Sequence, residues 1–289
     1  MPARPAPLES IDVGDIRVTH LPDGVASFSA SAMFPAGSQE LWGAHPELFD
    51  DDGLMVSTLG GFLIESGERK IVVDLGFGDI TVPFEPIQGL FRGGRLLASL
   101  REAGADPGDV DTVFYTHLHL DHVGWTAQNG SLTFPNARHL VGEGEFEFWQ
   151  GVTDEGLAAV GPHPEAVQAP LTNRVESVAD GATIAPGVNV LGTPGHTPGH
   201  CSLVVSSGED RAIILGDVIH CPLQLSDGDL RMIFDVDSDL AARTRERITA
   251  ELEGDAGTIG AICHFSDSVF GRVVKGTGRR WVGLIETAS

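Results

Sequence analysis

Apolar residues recur along this chain in short runs that have the length of β-strands. Residues 16–21 alternate apolar and polar positions, and residues 59–65 and 70–74 flank a Ser-Gly-Glu-Arg turn, which predicts a hairpin. Leucines at helical spacing predict a helix over 95–103, and Asp237 or Ser238 should cap another that reaches about residue 253. A shorter helix is expected over 143–149. Further strands are expected at 113–115, 138–141, 188–191, 202–206, 212–215, 258–262 and within 269–284.

Two long stretches lack a clear period. Residues 22–53 are rich in Pro, Gly, Ser and Asp but carry Phe34 and Trp42, and residues 77–95 carry Phe84. Connections of this length are usually disordered or functional. The scattered aromatic residues favour two walls of a substrate pocket, although they could instead only anchor the loops to the core. We find no internal repeat or linker, so residues 1–289 are expected to form a single domain.

Residues 116–124, Thr-His-Leu-His-Leu-Asp-His-Val-Gly, place four metal-competent side chains within six positions. In an extended backbone His117, His119 and Asp121 would share a face, whereas His122 needs a turn. Imidazole and carboxylate together suit zinc, iron, manganese or cobalt. A chance histidine cluster in a polar loop is the alternative, and this spacing disfavours it. The sequence therefore predicts a metal site.

Three other predicted strands also end at metal-competent residues. They lead to His196 within Gly-Thr-Pro-Gly-His-Thr-Pro-Gly-His, to Asp217 after Leu-Gly, and to His264 between Cys263 and Phe265. Strand ends grouped at one edge are where open α/β architectures place their sites.

The formal charge of −23 disfavours binding to nucleic acid or to anionic membrane surfaces, because no basic patch offsets it. No apolar run approaches membrane-spanning length, and the first residues do not look like a secretory signal. The three cysteines form no CxxC pair and are expected to be reduced thiols in a cytoplasmic protein.

Together these motifs resemble those of the metallo-β-lactamase-fold hydrolase superfamily, from the first hairpin and Asp74-Leu75-Gly76 to His264. The resemblance implies a four-layer αββα sandwich with two divalent metal ions between the sheets, zinc being the default. The ligand set that it implies has one metal on His117, His119 and His196, a second on Asp121, His122 and His264, and Asp217 as the bridge. Asp121 and Asp217 would also be the catalytic carboxylates.

Within the superfamily the chain resembles the branch of quorum-quenching lactonases and organophosphate or aryl-ester hydrolases, which shares the His264-Phe265 pair and the long segment before the hairpin. This implies a metal-bridging hydroxide acting on a small, mostly apolar ester or lactone, or on an organophosphate triester. A non-catalytic metal-binding or regulatory protein and a glyoxalase II-like thioesterase are the alternatives. The expected partner is a small molecule, and a homodimer is one option for the oligomeric state.

One departure from this branch concerns tyrosine. Some lactonases of the branch place a tyrosine over the metals, but the only tyrosine here is Tyr115, beside the motif. The expected pocket residues are Phe34, Trp42, Phe84 and His220, the last either facing substrate or bonded structurally, while His200 should support the ligand loop. The remaining histidines carry no motif and are expected at the surface or as caps, namely His20, His45, His139 and His163.

Overall fold

Strands with buried side chains form two stacked sheets in the computed structural model, which describes residues 2–284. The strands, in chain order, are β1 Ser10–Val13, β2 Ile16–Phe28, β3 Met55–Ser66, β4 Arg69–Val73, β5 Thr81–Phe84, β6 Gly89–Arg92, β7 Thr112–Tyr115, β8 Ala127–Gln128, β9 Ser131–Leu132, β10 Arg138–Gly142, β11 Val175–Val178, β12 Thr183–Ala185, β13 Val188–Gly192, β14 Cys201–Ser207, β15 Asp210–Ile214, β16 Ile259–Ala261, β17 Phe270–Lys275 and β18 Arg279–Gly283. The α-helices are α1 Ala30–Met33, α2 Gln39–Gly43, α3 Leu96–Glu102, α4 Glu145–Gly151, α5 Glu155–Ala158, α6 Ala169–Leu171 and α7 Ser238–Gly254.

The order of strands brings particular strand ends together. Within residues 2–284, a nine-stranded sheet runs β11-β10-β7-β4-β3-β2-β6-β5, with β1 beside β2, and a seven-stranded sheet runs β12 to β18 in sequence. Strands β4 and β7 are parallel neighbours in the first sheet, as β15 and β16 are in the second. Parallel neighbours end at the same edge, so the residues that follow these four strands lie close together within each sheet.

The main core lies between the two sheets and is built from alternate positions of the strands. On β3, Phe62 and Ile64 belong to this inner core, while Leu63 packs on the other face of the sheet. On β15, Ala212 and Ile214 are inner and Ile213 is outer. The two-residue period of a strand explains the alternation, and burial of both faces explains why the strands read as nearly continuous apolar runs.

Helices cover the outer faces of both sheets. Leu96 and Leu100 of α3 and Phe146 of α4 pack in the cluster that contains Leu63 on the larger sheet. Ile248 and Leu252 of α7 pack in the cluster that contains Ile213 on the smaller sheet. The predicted αββα sandwich is confirmed. In the part of the chain that the structure describes, no helix combines the length and apolarity needed to cross a bilayer.

The two stretches expected to be irregular contain more regular structure than the sequence indicated. Strand β2 continues through Pro22 and Gly24 to Phe28 with a shift of register at that point, although Pro-Asp-Gly is typical of a turn. Residues 81–92 form the β5–β6 hairpin on the edge of the larger sheet. The buried carboxylate of Asp23, at the register shift, connects the first stretch to the second. It accepts hydrogen bonds from backbone N–H groups at both ends of the second stretch and from an indole, namely from Phe77, Gly78, Gly94, Leu96 and Trp125.

Candidate metal centre

The predicted ligands follow the ends of neighbouring strands and meet between the two sheets. Residues 116–122 follow β7, which lies beside β4, and Asp74 follows β4 directly. In the facing sheet, Asp217 follows β15 and His264 follows the parallel strand β16, while His196 lies in the loop after β13. The order of the strands in the two sheets therefore brings the predicted ligands together, although His117 and His264 are 147 positions apart in sequence.

Four buried side chains form what we call the first cluster: His117, His119, His196 and Asp217. The Nδ1 atom of His119 lies 3.0 Å from Nε2 of His117 and 2.8 Å from Nε2 of His196. Oδ2 of Asp217 lies 3.3 Å from Nε2 of His196 and 3.7 Å from Nε2 of His117. Three imidazole nitrogens and one carboxylate oxygen thus surround a common point, as in a four-ligand site.

The second cluster consists of Asp121, His122 and His264 together with the other oxygen of Asp217. Oδ1 of Asp217 lies 3.1 Å from Nε2 of His122 and 3.0 Å from Nε2 of His264. The carboxylate of Asp121 lies 3.9 Å and 3.8 Å from the same two nitrogens. Since Oδ2 of Asp217 faces the first cluster and Oδ1 the second, this residue connects the two.

Hydrogen bonds to the outer ring nitrogens orient three of the ligands. Nδ1 of His122 bonds to Asp74, Nδ1 of His196 to Asp235, and Nδ1 of His264 to the carbonyl oxygen of Thr58, at 2.8, 2.9 and 3.0 Å. An Nδ1–H that donates to an oxygen leaves Nε2 with a lone pair that points into the cluster.

The unpaired atoms of the clusters fit bound cations. With its Nδ1 proton donated to Asp74, His122 has a lone pair on Nε2 that lies 3.1 Å from Oδ1 of Asp217. Among residues 2–284 neither of these two acceptors has a hydrogen-bond partner. Buried acceptors facing each other are destabilising unless a cation or a proton lies between them. Metal ions of the kind that the sequence predicts would satisfy both atoms, so the residues present fit such ions.

The ionisation of the ligands divides the histidines into two groups. Burial, aided by neighbouring imidazoles, lowers the pKa of His117 and of His119 well below the usual 6.5, so both rings are neutral at pH 7. Burial alone would raise the pKa of Asp217, but the imidazoles of His122 and His264 outweigh it and hold that pKa well below 3.8. Burial alone would lower the pKa of His122, His196 and His264, but the Asp217 carboxylate outweighs it and raises all three, that of His196 to about 9. Metals bind the neutral imidazole, so a cation bound at these three rings would displace a proton.

Two further histidines contact Asp217. Nε2 of His200 accepts the backbone N–H of Asp217 at 3.0 Å, and its Nδ1 bonds to Thr193, so His200 supports the loop. Nε2 of His220 lies 3.0 Å from Oδ2 of Asp217, and its ring is stacked on His264 with centroids 5.5 Å apart.

Both clusters open onto one cavity of about 560 Å³, a size within the range of small-molecule sites. Its polar part includes His119, Asp121, Asp217, His220 and His264, and most of the remaining wall is apolar. In the described residues 2–284, no lysine or arginine lines the cavity. The cavity thus combines the candidate metal centre with a mostly hydrophobic chamber whose described wall carries aspartates but no lysine or arginine.

The predicted pocket residues separate into two pairs. Phe84 and His220 line the cavity, and Phe84 contacts the rings of Phe91 and Phe234. Phe34 and Trp42 are not on its described wall; both are buried behind it, where their rings pack together. Of the two predicted pocket stretches, 77–95 contributes the longer part of the wall, and 22–53 contributes Ala26, Phe28 and Met33.

Several residues of the site were not identified from sequence. Residues 158–167 form a third wall, held to the metal motif by a backbone hydrogen bond from Leu120 to Val160. Met232 and Phe234 line the cavity, and Asp235 bonds to His196 from 39 positions away. No local pattern marks them, whereas Asp74, at the end of β4, had the same strand-end signal as the ligands.

The histidines without a motif differ from expectation in two cases. His20 and His139 are fully buried, so the prediction of a surface or capping position was wrong for them. Each ring has a local partner, Pro7 for His20 and Tyr115 for His139, which makes burial of a polar ring tolerable. His163 does cap a turn, accepting two backbone N–H groups. Tyr115 itself is buried and does not reach the cavity in the described structure.

The sequence model of the metallo-beta-lactamase superfamily matches residues 61–264, and the chain belongs to this superfamily. The resemblance inferred from the motifs is thereby confirmed. Among curated proteins, an N-acyl homoserine lactonase from a Bacillus species is 30% identical over 168 residues, which cover 53% of this chain and 60% of that protein. N-acyl homoserine lactonase AttM from Rhizobium radiobacter is 30% identical over 124 residues, covering 40% and 43%. The chain thus spans about 60% of the length of the first of these relatives.

Solved structures share the fold over nearly the whole chain. AidC, described as a dizinc quorum-quenching lactonase in complex with a product, superimposes with a TM-score of 0.85 at 23% identity, covering 97% of this chain and 98% of that one. The hydrolase AbOPH superimposes with a TM-score of 0.81 at 24% identity, covering 99% and 100%. At these identities the comparison establishes the common architecture.

Proposed function

We propose that this protein is a metal-dependent hydrolase of small, neutral, mostly apolar lactones and esters. The observation that carries the proposal is the pair of ligand clusters that share Asp217 and open onto one mostly apolar cavity. The names of its curated relatives, which are N-acyl homoserine lactonases, support a lactone as the first substrate class to test.

The first and second clusters would each hold one divalent ion. Zinc is our first choice because imidazole and carboxylate are its usual ligands, although iron, manganese and cobalt accept the same set. Two ions bound there would lower the pKa of water toward neutrality and polarise a carbonyl oxygen.

The protein's own residues would position and protect this chemistry. Asp217 holds both clusters together through its two oxygens. Asp121 is the more exposed of the two ligand carboxylates, with 16% of its side chain accessible against 4% for Asp217, and it lines the cavity, where it can exchange a proton with a bound substrate. Phe84, Phe91 and Phe234 pack around the chamber and keep bulk water away from the scissile bond.

The absence of cationic side chains from the described wall argues for neutral substrates. A phosphodiester or a nucleotide would bring negative charge beside Asp79 and Asp121, and away from the two metal clusters the described wall has no arginine or lysine to compensate it. A phosphotriester is neutral and is the second candidate on the same ground.

The test is a substrate screen on protein loaded with zinc and assayed for metal content. The panel contains acyl lactones, aryl esters, a phosphotriester, a thioester and a phosphodiester. We expect turnover of lactones and esters and none of the phosphodiester. Turnover of the thioester alone would indicate a glyoxalase II-like enzyme. No turnover by protein that carries two ions would support a binding or regulatory role and would refute the proposal.

We further propose that residues 1–289 form one domain, because a single inner core runs between the sheets. Residues 1 and 285–289 lie outside the described part of the chain. A cytoplasmic location is proposed from the cysteines, since Cys201, Cys221 and Cys263 are all buried free thiols.

A further inference from the structure

Glu145, at the start of α4, is a fully buried carboxylate that the proposed reaction does not use. It does not line the cavity in the described structure, and it forms no ion pair with any residue in the range 2–284. Removing a carboxylate from water without a cation is strongly destabilising unless hydrogen bonds to the carboxylate offset the loss. The hydrogen bonds that Glu145 accepts therefore indicate its structural role.

Both oxygens of Glu145 accept N–H groups from the loops that carry ligands. Oε1 accepts the backbone N–H of Leu118 at 3.0 Å, and Oε2 accepts the backbone N–H of Gly199 at 3.0 Å. Leu118 lies between His117 and His119, and Gly199 lies three residues after His196 in its loop. One carboxylate thus joins two loops that are about 80 residues apart in sequence and come from different sheets.

A third donor extends the same contact to a ligand ring. Nε1 of Trp149, one turn further along α4, donates to Oε1 of Glu145 at 2.8 Å. The Trp149 ring packs edge-on against the ring of His119, with centroids 5.3 Å apart. In addition, a Cβ at Gly199 would lie 2.6 Å from Cβ of Glu145, so the loop approaches α4 as closely as glycine allows.

The Leu118 N–H that Glu145 accepts lies between two ligands of the first cluster, although the same loop also carries Asp121 and His122 of the second. His117, His119 and His196 supply the three nitrogens of the first cluster, and all three lie on the two loops that Glu145 joins. The ligands that belong to the second cluster alone are oriented elsewhere, His122 by Asp74 and His264 by Thr58.

We propose that Glu145 is a positioning residue that sets the distance between the two ligand loops and so determines the metal affinity of the first cluster. The proposal rests on the metal centre proposed above. Outer hydrogen-bond partners of metal ligands typically change affinity by about 10–100-fold when they are lost. Loss of the Glu145 carboxylate should change metal affinity by a factor in this range, and only at the first cluster.

Glu145→Gln is the informative variant, because the side chain keeps its size but one oxygen becomes an NH₂ group. That group would face a backbone N–H, so one of the two loops loses its acceptor. Zinc-loaded full-length protein is titrated with chelators of increasing strength, and the retained zinc is counted. Two backgrounds separate the clusters, since His264→Ala leaves the first cluster and His119→Ala leaves the second.

In the His264→Ala background we expect Glu145→Gln to weaken zinc retention by about 10-fold or more. In the His119→Ala background the same change should leave retention within about twofold. Amide hydrogen exchange of Leu118 and Gly199 in the zinc-loaded protein should accelerate at one of the two positions. Glu9→Gln is the matched control for the first cluster, because Glu9 is also a buried carboxylate that accepts a backbone N–H, that of Val269. Val269 lies in the loop of His264, so in the described structure Glu9 contacts no loop that carries a nitrogen ligand of the first cluster.

The outcomes distinguish this inference from the proposed function. Wild-type protein that retains no zinc would refute the metal centre itself. Wild-type protein that retains two ions, with equal losses at both clusters or none in Glu145→Gln, would refute only the role of Glu145. If Glu145→Gln does not fold, Trp149→Phe removes one donor to Oε1 and keeps a ring beside His119. A loss of a few-fold at the first cluster alone supports the role, and unchanged retention contradicts it.

Discussion

At the scale of single residues, the centre depends on side chains that serve two neighbours at once. Asp217 faces the first cluster with one oxygen and the second with the other, and its backbone N–H is held by His200. Asp74 bonds both to His122 and to the backbone of Thr116. Loss of such a residue should therefore affect function far more than it affects folding.

Asp217→Ala and His119→Ala should each lower kcat/KM for the best substrate by roughly 10³-fold or more, beyond the 10–100-fold that loss of an outer partner causes. The fold should persist, because the inner core does not involve these residues. Steady-state kinetics and far-UV circular dichroism test both halves. His45→Ala, at a surface position bonded only to Glu47, is the control. Kinetics close to wild type in Asp217→Ala would contradict the assignment of the bridge.

The sequence predicted both Phe84 and Trp42 as pocket residues, but replacing them should affect different properties, substrate binding for Phe84 and stability for Trp42. Phe84→Ala should raise KM for an apolar lactone by about 10-fold, because the ring lines the cavity. Trp42→Ala should instead lower the free energy of unfolding by about 3–5 kcal/mol, since the ring is buried behind the wall. Kinetics and urea denaturation of both variants separate the effects. A larger change of KM in Trp42→Ala than in Phe84→Ala would reverse the assignment.

At the scale of elements, α7 packs directly on the loop that carries His196. The hydroxyl of Thr244 donates to the carbonyl of Pro194 at 2.6 Å, and the backbone N–H of Asp237, the N-cap, donates to the carbonyl of Gly195. Gly195 has φ of +133°, and a Cβ there would lie 2.3 Å from the backbone nitrogen of Ala241. The position of the loop that carries His196 thus depends on where α7 packs.

Gly195→Ala should therefore lower the free energy of unfolding by roughly 2–5 kcal/mol, through backbone strain and overpacking together. It should also lower zinc retention, because His196 follows immediately. Gly208→Ala is the control: its φ of +61° carries a similar backbone cost, but open space surrounds the position. That variant should lose about 1–2 kcal/mol and keep its zinc. Equal zinc retention in the two variants would show that the helix does not position the loop.

At the scale of the whole molecule, buried histidines away from the site couple stability to pH. Burial lowers the pKa of His20 to about 4, and the hydrogen bond to Pro7 offsets only part of the effect. His139 behaves in the same way, with burial lowering its pKa to about 4. Both rings lie outside the ligand clusters, so their titration reports on the fold.

Wild-type protein should lose stability as the pH falls from 6.5 to 4. In that window the unfolded chain binds a proton at His20 and the folded chain does not, so the unfolded state is favoured; above pH 6.5 neither binds one. The effect of His20 should reach roughly 3 kcal/mol by pH 4. His20→Asn keeps a donor for the carbonyl of Pro7 and removes the titration. Urea denaturation across this range should give a shallower pH dependence for His20→Asn, and parallel curves would contradict the prediction.

The chain by itself predicted the candidate ligands and the elements that carry them. Apolar runs of strand length ended at His117, His196, Asp217 and His264, and this pattern is local, because strand burial and turn formation act over a few residues. Helices α3 and α7 were also predicted to within about one residue, since helical spacing and an N-cap are local signals.

Only the tertiary structure decided which side chains surround those ligands. Asp235 reaches His196, Glu145 joins two loops, and residues 158–167 close the cavity, each through contacts between segments far apart in sequence. The burial of Trp42 and the exposure of Phe84 to the cavity were decided in the same way, because both are aromatic residues in aperiodic stretches. The spacing of apolar residues in the sequence indicates which face of a strand or helix is buried. Which residues pack against that face depends on how the sheets stack.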